Sequence, residues 1–476
     1  MKQIITLCSL LWMSAACFGQ AIEGELLGHW ADTTLPGSIF HDNVYNEVWG
    51  FEVNDHAYAV IGSTYGTHII DVTDPANLFE RARFIGRATG DFIVHRDYHD
   101  YKGYLYAVCD EGSSSLQIFD ISNLPDTVSM VYDDNSQLVT SHNIYIDTTN
   151  ARMYSFATGS FMPEVNNGVA VFDLSDPLNP QHIKSFKDFG SIQPSHIHDG
   201  YVRDNIAFLN CERKGLAVVD FEDLDNPEIL GVLPHSNYLQ AGYNHSGWPN
   251  DPCTHYFMAD ENWGMDLKSV VLENRPDFEV SAYFDTESAN SNAIPHNQVV
   301  ACDYLYVSYY HEGLQVYDIS NPDFPERVLY YDTSVEPEDR NYKGAWGVFP
   351  FLSTGNILVS DMQEGLFVIK GLGDNCQPNA NLEPCKEMTT SLEENSASTF
   401  YGVFPNPSNG HFYLHLPLGT DQVQIHDGMG RLVLEKACKG VKKEEINLPV
   451  DVQNGIYYVT FRTASSTITE KLEIIR

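Results

Sequence analysis

Positive charge is scarce in this sequence of 476 residues, in which 27 Lys and Arg stand against 65 Asp and Glu and give a formal net charge of −38. Such an acidic chain disfavours nucleic acid and anionic membrane surfaces as partners; it indicates cations or basic partners, or simply the soluble acidic surface of a secreted protein, which is the favoured interpretation. Long hydrophobic runs are also missing, because no stretch after the N-terminus reaches the roughly 18 unbroken apolar residues of a transmembrane helix. The hydrophobic share of 43% is nevertheless that of a folded globular protein with a large core.

Familiar catalytic motifs are lacking as well. The sequence contains no Gly-x-Ser-x-Gly nucleophile elbow, no phosphate-binding loop, no dinucleotide-binding fingerprint and no EF-hand loop. Its nine cysteines contain no Cys-x-x-Cys metal pattern. The function must therefore be sought in the arrangement of the chain rather than in one local motif.

The N-terminus is typical of a secretory signal peptide. A lysine at position 2 precedes a short apolar run and a stretch of small residues, and we predict a signal over residues 1–19 with cleavage before Gln20. The residues before Cys17 also resemble a lipobox, but Ser14 stands where an aliphatic residue is usual. The sequence therefore predicts export, and it leaves lipidation as a less favoured alternative.

The cysteines after the signal peptide are expected to include both thiols and a disulfide, since an exported protein reaches an oxidising location. Four lie far apart in strand-like sequence and are expected to be buried thiols: Cys109, Cys211, Cys253 and Cys302. Cys376 and Cys385 flank a loop rich in Pro and Asn, so we predict a disulfide between them.

One unit recurs through most of the chain. It consists of an apolar strand that ends in aspartate and is followed by a Ser/Thr-Asp/Asn-Pro turn, as in residues 314–322. Other copies begin at 68, 116, 169 and 216, and degraded copies at 270 and 366 complete a set of seven. Repeats of about 40 to 50 residues that contain four short strands predict an all-β, seven-bladed β-propeller, here over residues 20–372. We expect the repeated aspartates to cap turns rather than to bind a ligand.

The seventh copy ends after its third strand, which would leave an open sheet edge. Residues 25–30 resemble a fourth strand without a blade of their own, so we predict that this N-terminal strand closes the ring. A count of six or eight blades would leave this segment or the degraded fifth copy unexplained.

The composition of residues 373–399 predicts a linker, and the alternating strands of residues 400–476 predict a small C-terminal β-sandwich.

Both parts resemble known families. The aspartate-terminated strand and its turn resemble the LVIVD-repeat family of extracellular propellers, and the seven copies resemble the choice-of-anchor B proteins of bacterial surfaces. The tail resembles the C-terminal sorting domain of the type IX secretion system of Bacteroidetes through Pro405-Asn406-Pro407, the turn from Asp427 to Arg431, residues 455–457 and Lys471. That resemblance implies recognition by the type IX machinery, removal of the tail, and release or attachment at the outer cell surface. The propeller family implies no settled reaction.

Candidate site residues lie at the starts of the inner strands, which should border the central channel. In blade order they are Trp49, Arg96, His142, His196 with His198, His245, His296 and Trp346. A second set follows the second strand of the blades and should reach the same end of the channel: Glu111, Glu212, Glu261, Glu312 and Glu364. Imidazole and carboxylate are suitable ligands for a divalent transition metal, so we predict a metal site formed by the histidines. In the alternative interpretation, the histidines are a repeated structural feature and the tryptophans pack the channel wall.

The sequence thus predicts a secreted or surface-displayed propeller that binds a ligand, a protein or a glycan through the His/Glu-lined channel face. Two alternatives remain, a metal-dependent extracellular hydrolase and a structural or adhesion protein of the cell surface.

Overall fold

The computed structural model describes residues 21–162, 168–189, 192–193, 197–273, 275–288, 292–335, 340–373, 382 and 385, and in the C-terminal part 402–404, 406, 408, 410–416, 420–438, 443–449, 452–463 and 467–475. The predicted signal peptide and most of the predicted linker lie outside these residues. The chain divides into two compact units, Met1–Thr390 and Ser391–Arg476.

The first unit consists almost wholly of short strands. They are β1 (Ile22–Glu23), β2 (Leu26–Trp30), β3 (Tyr45–Val53), β4 (His56–Ser63), β5 (Gly66–Asp71), β6 (Phe79–Ile85), β7 (Arg96–Tyr101), β8 (Tyr104–Cys109), β9 (Leu116–Asp120), β10 (Ser129–Asp134), β11 (Asn143–Asp147), β12 (Arg152–Phe156), β13 (Val169–Asp173), β14 (Gln181–Phe186), β15 (Asp199–Arg203), β16 (Ile206–Asn210), β17 (Gly215–Asp220), β18 (Glu228–Pro234), β19 (Asn244–Pro249), β20 (His255–Asp260), β21 (Leu267–Val271), β22 (Glu279–Phe284), β23 (Gln298–Ala301), β24 (Tyr304–Ser308), β25 (Leu314–Asp318), β26 (Glu326–Tyr331), β27 (Ala345–Phe349), β28 (Ile357–Asp361) and β29 (Gly365–Ile369). A short 3-10 helix, His235–Asn237, lies between β18 and β19.

In the described residues these strands form seven sheets, which we call blades 1 to 7. They are β3–β6, β7–β10, β11–β14, β15–β18, β19–β22, β23–β26 with β1, and β27–β29 with β2. The first strand of every blade contacts the first strand of the next blade, and β27 contacts β3, so the inner strands surround a central channel. The predicted β-propeller is confirmed.

The burial of each strand follows from its place in the blade. Strand β25, the third strand of blade 6, is buried along almost its whole length, because both faces of a strand in the middle of a blade pack against the neighbouring blades. The outer strand β26 is largely half-exposed. This difference explains why the third strand of the repeat is a nearly continuous apolar run.

The repeated aspartates cap turns, as predicted. The Asp120 carboxylate accepts hydrogen bonds from the backbone N–H of Ser122 at 3.0 Å and from its hydroxyl at 2.6 Å. Asp318 accepts the backbone N–H of Ser320 at 2.9 Å in the same way.

The N-terminal segment completes the ring. Strand β2 pairs antiparallel with β29 as the fourth strand of blade 7, which confirms the predicted closure. Strand β1, just before it, pairs in parallel with β26 of blade 6, a contact that the sequence analysis did not predict. Beyond β2, Asp32 lies 2.6 Å from the guanidinium of Arg83 on the outer strand of blade 1. The segment therefore joins three blades.

The predicted disulfide is wrong. Cys385 forms a disulfide with Cys253, 132 residues earlier, while Cys376 lies outside the described residues. Cys302 is also disulfide-bonded, so Cys253 and Cys302 are not the thiols that we expected, whereas Cys109 and Cys211 are buried thiols. Spacing misled the prediction, because Cys385 is buried in the core of blades 4 and 5 rather than in a local loop.

The second unit contains β30 (Gly402–Phe404), β31 (His411–His415), β32 (Thr420–Asp427), β33 (Leu432–Ala437), β34 (Lys443–Asn447), β35 (Gly455–Thr463) and β36 (Thr467–Ile474). These strands form sheets of three and four strands around one apolar core, as expected for a β-sandwich. Asn406 of the Pro-Asn-Pro motif bonds the backbone of the last strand at Lys471 and Glu473. Within the described residues, no helix of the protein has the length and apolar character needed to cross a membrane.

Candidate functional site

One position at the start of the inner strand is aromatic in six blades. It holds His95, His142, His198, His245 and His296 in blades 2 to 6 and Trp346 in blade 7. Neighbouring ring centroids lie 4.7 Å apart for His95 and His142, 4.1 Å for His142 and His198, 4.1 Å for His198 and His245, 4.4 Å for His245 and His296, 4.5 Å for His296 and Trp346, and 5.2 Å for Trp346 and His95. The six side chains thus close a circle, which we call the histidine ring.

Hydrogen bonds at Nδ1 orient four of the five imidazoles, whereas Nδ1 of His245 is buried without a partner among the described residues. Nδ1 of His296 donates to the Trp346 carbonyl at 2.6 Å, and Nδ1 of His198 donates to the His245 carbonyl at 3.2 Å. Nδ1 of His142 lies 2.9 Å from the Asp110 carboxylate. Carbonyl and carboxylate oxygens only accept, so each of these rings holds a proton on Nδ1, and in the neutral form its Nε2 carries the lone pair. Metal-binding histidines are held in the same way, with the ring nitrogen that does not face the metal donating to a carbonyl or carboxylate oxygen.

The histidine ring borders a cavity of about 160 Å³. Four further side chains complete its wall: His41, Glu261, Tyr310 and Tyr342. Glu261 accepts a hydrogen bond from the Tyr310 hydroxyl at 2.6 Å and lies 3.9 Å from Nε2 of His245. A carboxylate therefore meets imidazole at the same cavity, as the sequence analysis predicted for this blade.

The ring histidines differ in their pKa values, because burial lowers the pKa of some while a neighbouring carboxylate raises that of another. It lowers the pKa of His296 to about 3 and, together with the neighbouring histidines, lowers the pKa of His245 well below its ordinary value. Burial acts in the same direction on His142, but the hydrogen bond and charge of Asp110 raise the pKa of His142 above its ordinary value. Burial raises the pKa of Glu261 to about 7. Neutral His245 and His296 are in the protonation state that metal binding requires.

Three overlapping groups at this cavity could hold a metal ion. They are His142 with His198 and His245, His95 with Asp110 and His142, and His245 with Glu261 and His296. The ligand atoms of each group lie within 4.8 Å of one another. Zinc bonds nitrogen at about 2.0–2.1 Å in a tetrahedral site, so its ligands lie roughly 3.4 Å apart, and small side-chain rotations would close each group around an ion. Imidazole and carboxylate donors suit zinc and other divalent transition metals.

The other predicted residues divide into two groups. Glu111 bonds Nδ1 of His95 and the backbone N–H groups of Val94 and His95, so it supports the ring from behind. Glu212 accepts from the Tyr243 hydroxyl at 3.2 Å, and Tyr243 lies edge-on to His198. His196 lies outside the described residues.

Four other predicted residues do not line the cavity of the histidine ring. The guanidinium of Arg96 donates to the carbonyls of Ser63 and Ala88, between blades. Glu312 bonds Ser288, and Glu364 accepts His29 through its backbone carbonyl. Trp49 lies deeper in the channel, where it packs against His99 and Phe349. In blade 1 the ring position belongs to Asn46, whose amide donates to the Val94 carbonyl at 2.9 Å.

The sequence analysis missed Asp110, which directly precedes Glu111, and the cavity residues His41, Tyr310 and Tyr342. It also missed a deeper layer of carboxylates one or two positions beyond the ring position of the inner strands, Glu47, Asp97 and Asp199. Burial raises the pKa of Asp97 to about 7, that of Asp199 to about 6, and that of Glu47 well above its ordinary value. The acidic residues next to the ring histidines in the sequence could have indicated this layer of carboxylates.

Comparison with known proteins bears on the two parts separately. Residues 402–475 match the model of the secretion system C-terminal sorting domain. The tail is a type IX sorting domain. The sorting domain directs export by type IX secretion, so the protein is secreted or displayed at the cell surface, as predicted. Residues 298–333, in blade 6, match the LVIVD repeat. The likeness to choice-of-anchor B proteins stays a prediction.

Similarity to whole proteins is slight. None of the curated proteins matches this sequence. Among solved structures, a crystal structure of a proposed 6-phosphogluconolactonase from Bacteroides uniformis is 11% identical, with a TM-score of 0.46 over 66% of this chain and 92% of the other.

Proposed function

We propose that this exported propeller binds a divalent transition metal at the histidine ring and uses the ring as the recognition centre for a ligand at the cell surface. The observation that supports this most is the orientation of the imidazoles, since Nδ1 of His142 and of His296 is engaged on the side of the blade wall. Among the described residues, neither His142 nor His296 has a hydrogen-bond partner at Nε2. Both residues line the cavity, so their Nε2 atoms are available to a metal ion bound there.

The cavity leaves room for more than the ion. About 160 Å³ accommodates a metal together with a small anionic group or several waters. Tyr342 borders the same space and can donate a hydrogen bond to a carboxylate or a sugar hydroxyl bound to the metal, whereas the Tyr310 hydroxyl already donates to Glu261. The ligand would thus be a protein or glycan group that offers oxygen to the metal.

A hydrolase is the second candidate, and Glu261 favours it. Its carboxylate lies at the cavity beside His245 but is separated from Nε2 by 3.9 Å, which suits a group that takes a proton from a metal-bound water rather than a tightly paired ligand. If this holds, Glu261→Gln abolishes hydrolysis of an ester or peptide substrate while the metal content stays unchanged. Loss of metal together with activity would instead make Glu261 a ligand.

The experiment is elemental analysis of the untagged protein after dialysis against zinc, beside the double variant His142→Ala/His245→Ala. Together these two substitutions disrupt all three groups of ligand atoms. We expect about one zinc per chain in the parent and none in the variant. The control His56→Ala/His235→Ala removes two histidines outside the ring and should retain the metal. Equal metal in all three proteins, or a parent free of metal in the presence of zinc, would refute the proposal; circular dichroism establishes that each variant is folded.

A further inference from the structure

A second cavity lies further along the channel. It measures about 70 Å³, and its wall includes the second and third positions of the inner strands, counted from the histidine ring. All inner strands run the same way along the channel, with about 3.3 Å of rise per residue. The carboxylates and amides of this wall lie one or two positions beyond the histidine ring, about 3–7 Å along the channel, and the aromatic residues lie three to five positions beyond it, about 10 Å or more towards the other end.

The wall of this cavity holds carboxylates without basic partners. Glu47 is 9% exposed, Asp97 is 8% exposed, and Asp199 is partly buried beside them. Their hydrogen bonds come from neutral donors, such as the backbone N–H of Ile144 to Asp97 at 2.7 Å and the Asn297 amide to Glu47 at 2.5 Å. Within the described residues, no Lys or Arg forms an ion pair with any of the three. Buried carboxylates without a cation are costly, so the site favours a positively charged occupant.

Two amide oxygens at the same cavity point to a ligand independently of the carboxylates. Oε1 of Gln298 and Oδ1 of Asn297 are buried and have no hydrogen-bond partner among the described residues. Gln298 is only 3% exposed, and its amide nitrogen is already held by the Ser246 carbonyl at 3.1 Å. Both side chains line the cavity. Unsatisfied buried acceptors call for N–H or O–H donors.

Aromatic side chains encircle the channel beyond the carboxylates. This aromatic collar consists of Trp49, His99, Tyr145, Tyr201, Trp248, Phe351 and Phe349. Successive centroids lie 4.4, 5.2, 5.0, 4.5, 6.4 and 5.5 Å apart in that order, and Phe349 returns to Trp49 at 5.0 Å. Electron-rich rings attract organic cations and pack against their alkyl groups.

We propose that this end of the channel binds a primary alkylammonium group, with the ammonium among Glu47, Asp97 and the two free amide oxygens and the alkyl stem within the aromatic collar. Its source is either a lysine side chain of a partner protein or a free polyamine. The N–H groups satisfy acceptors that a quaternary ammonium ion would leave unpaired. A chelated metal ion fits less well, because in the described residues the groups of closely spaced metal-ligand atoms all lie at the histidine ring. The high negative charge of the protein would draw such cations towards it.

The test is calorimetric titration of the full-length protein with n-butylammonium chloride, with tryptophan fluorescence as a second signal from Trp49 and Trp248. Neutral n-butanol, tetramethylammonium and calcium chloride are titrated in parallel. We expect saturable binding of n-butylammonium and at least tenfold weaker binding of the other three. These comparisons need no variant and so do not depend on whether a variant folds.

Variants then locate the site. Glu47→Gln should weaken n-butylammonium binding at least tenfold, whereas Glu52→Gln, an exposed residue on the same strand, should change it less than twofold. The variant His142→Ala/His245→Ala should bind n-butylammonium as the parent does, which separates this site from the proposed metal centre. Stronger binding of a lysine-containing peptide than of spermidine would identify a protein partner as the source, and the reverse would identify polyamines. Absence of saturable binding, or a preference for calcium or tetramethylammonium, would overturn the proposal.

Discussion

The Asp110 carboxylate of blade 2 lies 2.9 Å from Nδ1 of His142 at the start of blade 3. This contact joins two neighbouring blades at the cavity. It fixes both the tautomer and the orientation of His142, whose imidazole lies beside those of His95, His198 and His245. The blade-to-blade interface and the proposed metal centre are therefore built from the same side chains.

The first prediction follows from this contact. Asp110→Asn keeps the shape of the side chain but removes its charge, so we expect zinc affinity to fall about tenfold or more, as is typical when a carboxylate behind a ligating histidine is lost. Competition with a chromophoric chelator measures this affinity. Asp126→Asn, an exposed position of the same blade, serves as control and should leave zinc binding unchanged. An unchanged affinity in Asp110→Asn would show that Asp110 does not orient a ligand.

The contacts of the N-terminal segment that closes the propeller should weaken at acid pH. Hydrogen bonds from Thr34, with support from Arg83, lower the pKa of Asp32 to about 2, and although burial opposes it, His68 and Arg83 lower the pKa of Glu80 to about 2. A carboxylate whose pKa is lower in the folded state stabilises the fold above its unfolded pKa of about 4 and loses this contribution as the pH falls towards 2. We expect Asp32→Asn to lower the free energy of unfolding at pH 7 by about 0.5–1 kcal/mol.

Urea unfolding at pH 7 and at pH 3 measures this effect. The difference between Asp32→Asn and the parent should shrink at the lower pH, whereas the exposed control Asp91→Asn should match the parent at both. A difference that grows as the pH falls would contradict the assignment.

The disulfide between Cys253 and Cys385 holds a segment that follows the last blade against blades 4 and 5. We expect Cys385→Ser to lower the free energy of unfolding by about 2–5 kcal/mol, because the bond constrains a long loop of the unfolded chain. Thermal unfolding measures the loss, and Cys438→Ser, at a thiol of the other unit, is the control. Peptide mapping without reduction should recover Cys253 linked to Cys385; a different linkage would contradict the structure.

The side chain of Glu47 in blade 1 fills the space beside Gly347 of blade 7, which no other residue type would leave free. A Cβ atom on Gly347 would overlap Oε1 of Glu47, so Gly347→Ala should displace the carboxylate and destabilise the fold by about 1–3 kcal/mol. Adding Glu47→Ala should recover part of that loss, since the two side chains compete for one space. A double-mutant cycle of urea unfolding measures the coupling, and strictly additive effects would refute it.

The repeat pattern was sufficient to predict the propeller, its closing strand and the capping aspartates, because these depend on local strand and turn chemistry. The histidines at 142, 198, 245 and 296 were predicted for the same reason. Blade 1 was misaligned by three residues: Trp49-Gly50 matches Trp346-Gly347 in sequence, but an irregular pairing between Tyr45 and Val48 gives the ring position to Asn46. Such a shift depends on the pairing of β3 with β4, which periodicity does not reveal.

Long-range contacts account for the other errors. Cys385 meets Cys253 only because the chain beyond blade 7 returns to blades 4 and 5, and no local spacing indicates that path. Arg96 resembles a channel residue by position, yet the side chain after the ring histidine turns towards the adjacent blade, where the Ser63 and Ala88 carbonyls accept its donors.

The pairing of β2 with β29 affects how the newly synthesised chain folds. Leu26 and Ile369 lie opposite each other in one sheet, although almost the entire propeller separates them in sequence. Ribosomes release the first of these residues long before the second, and closing so large a loop is slow. The N-terminal strand of the nascent chain therefore stays unpaired until the last blade has been made, and chaperones and proteases can act on it until then.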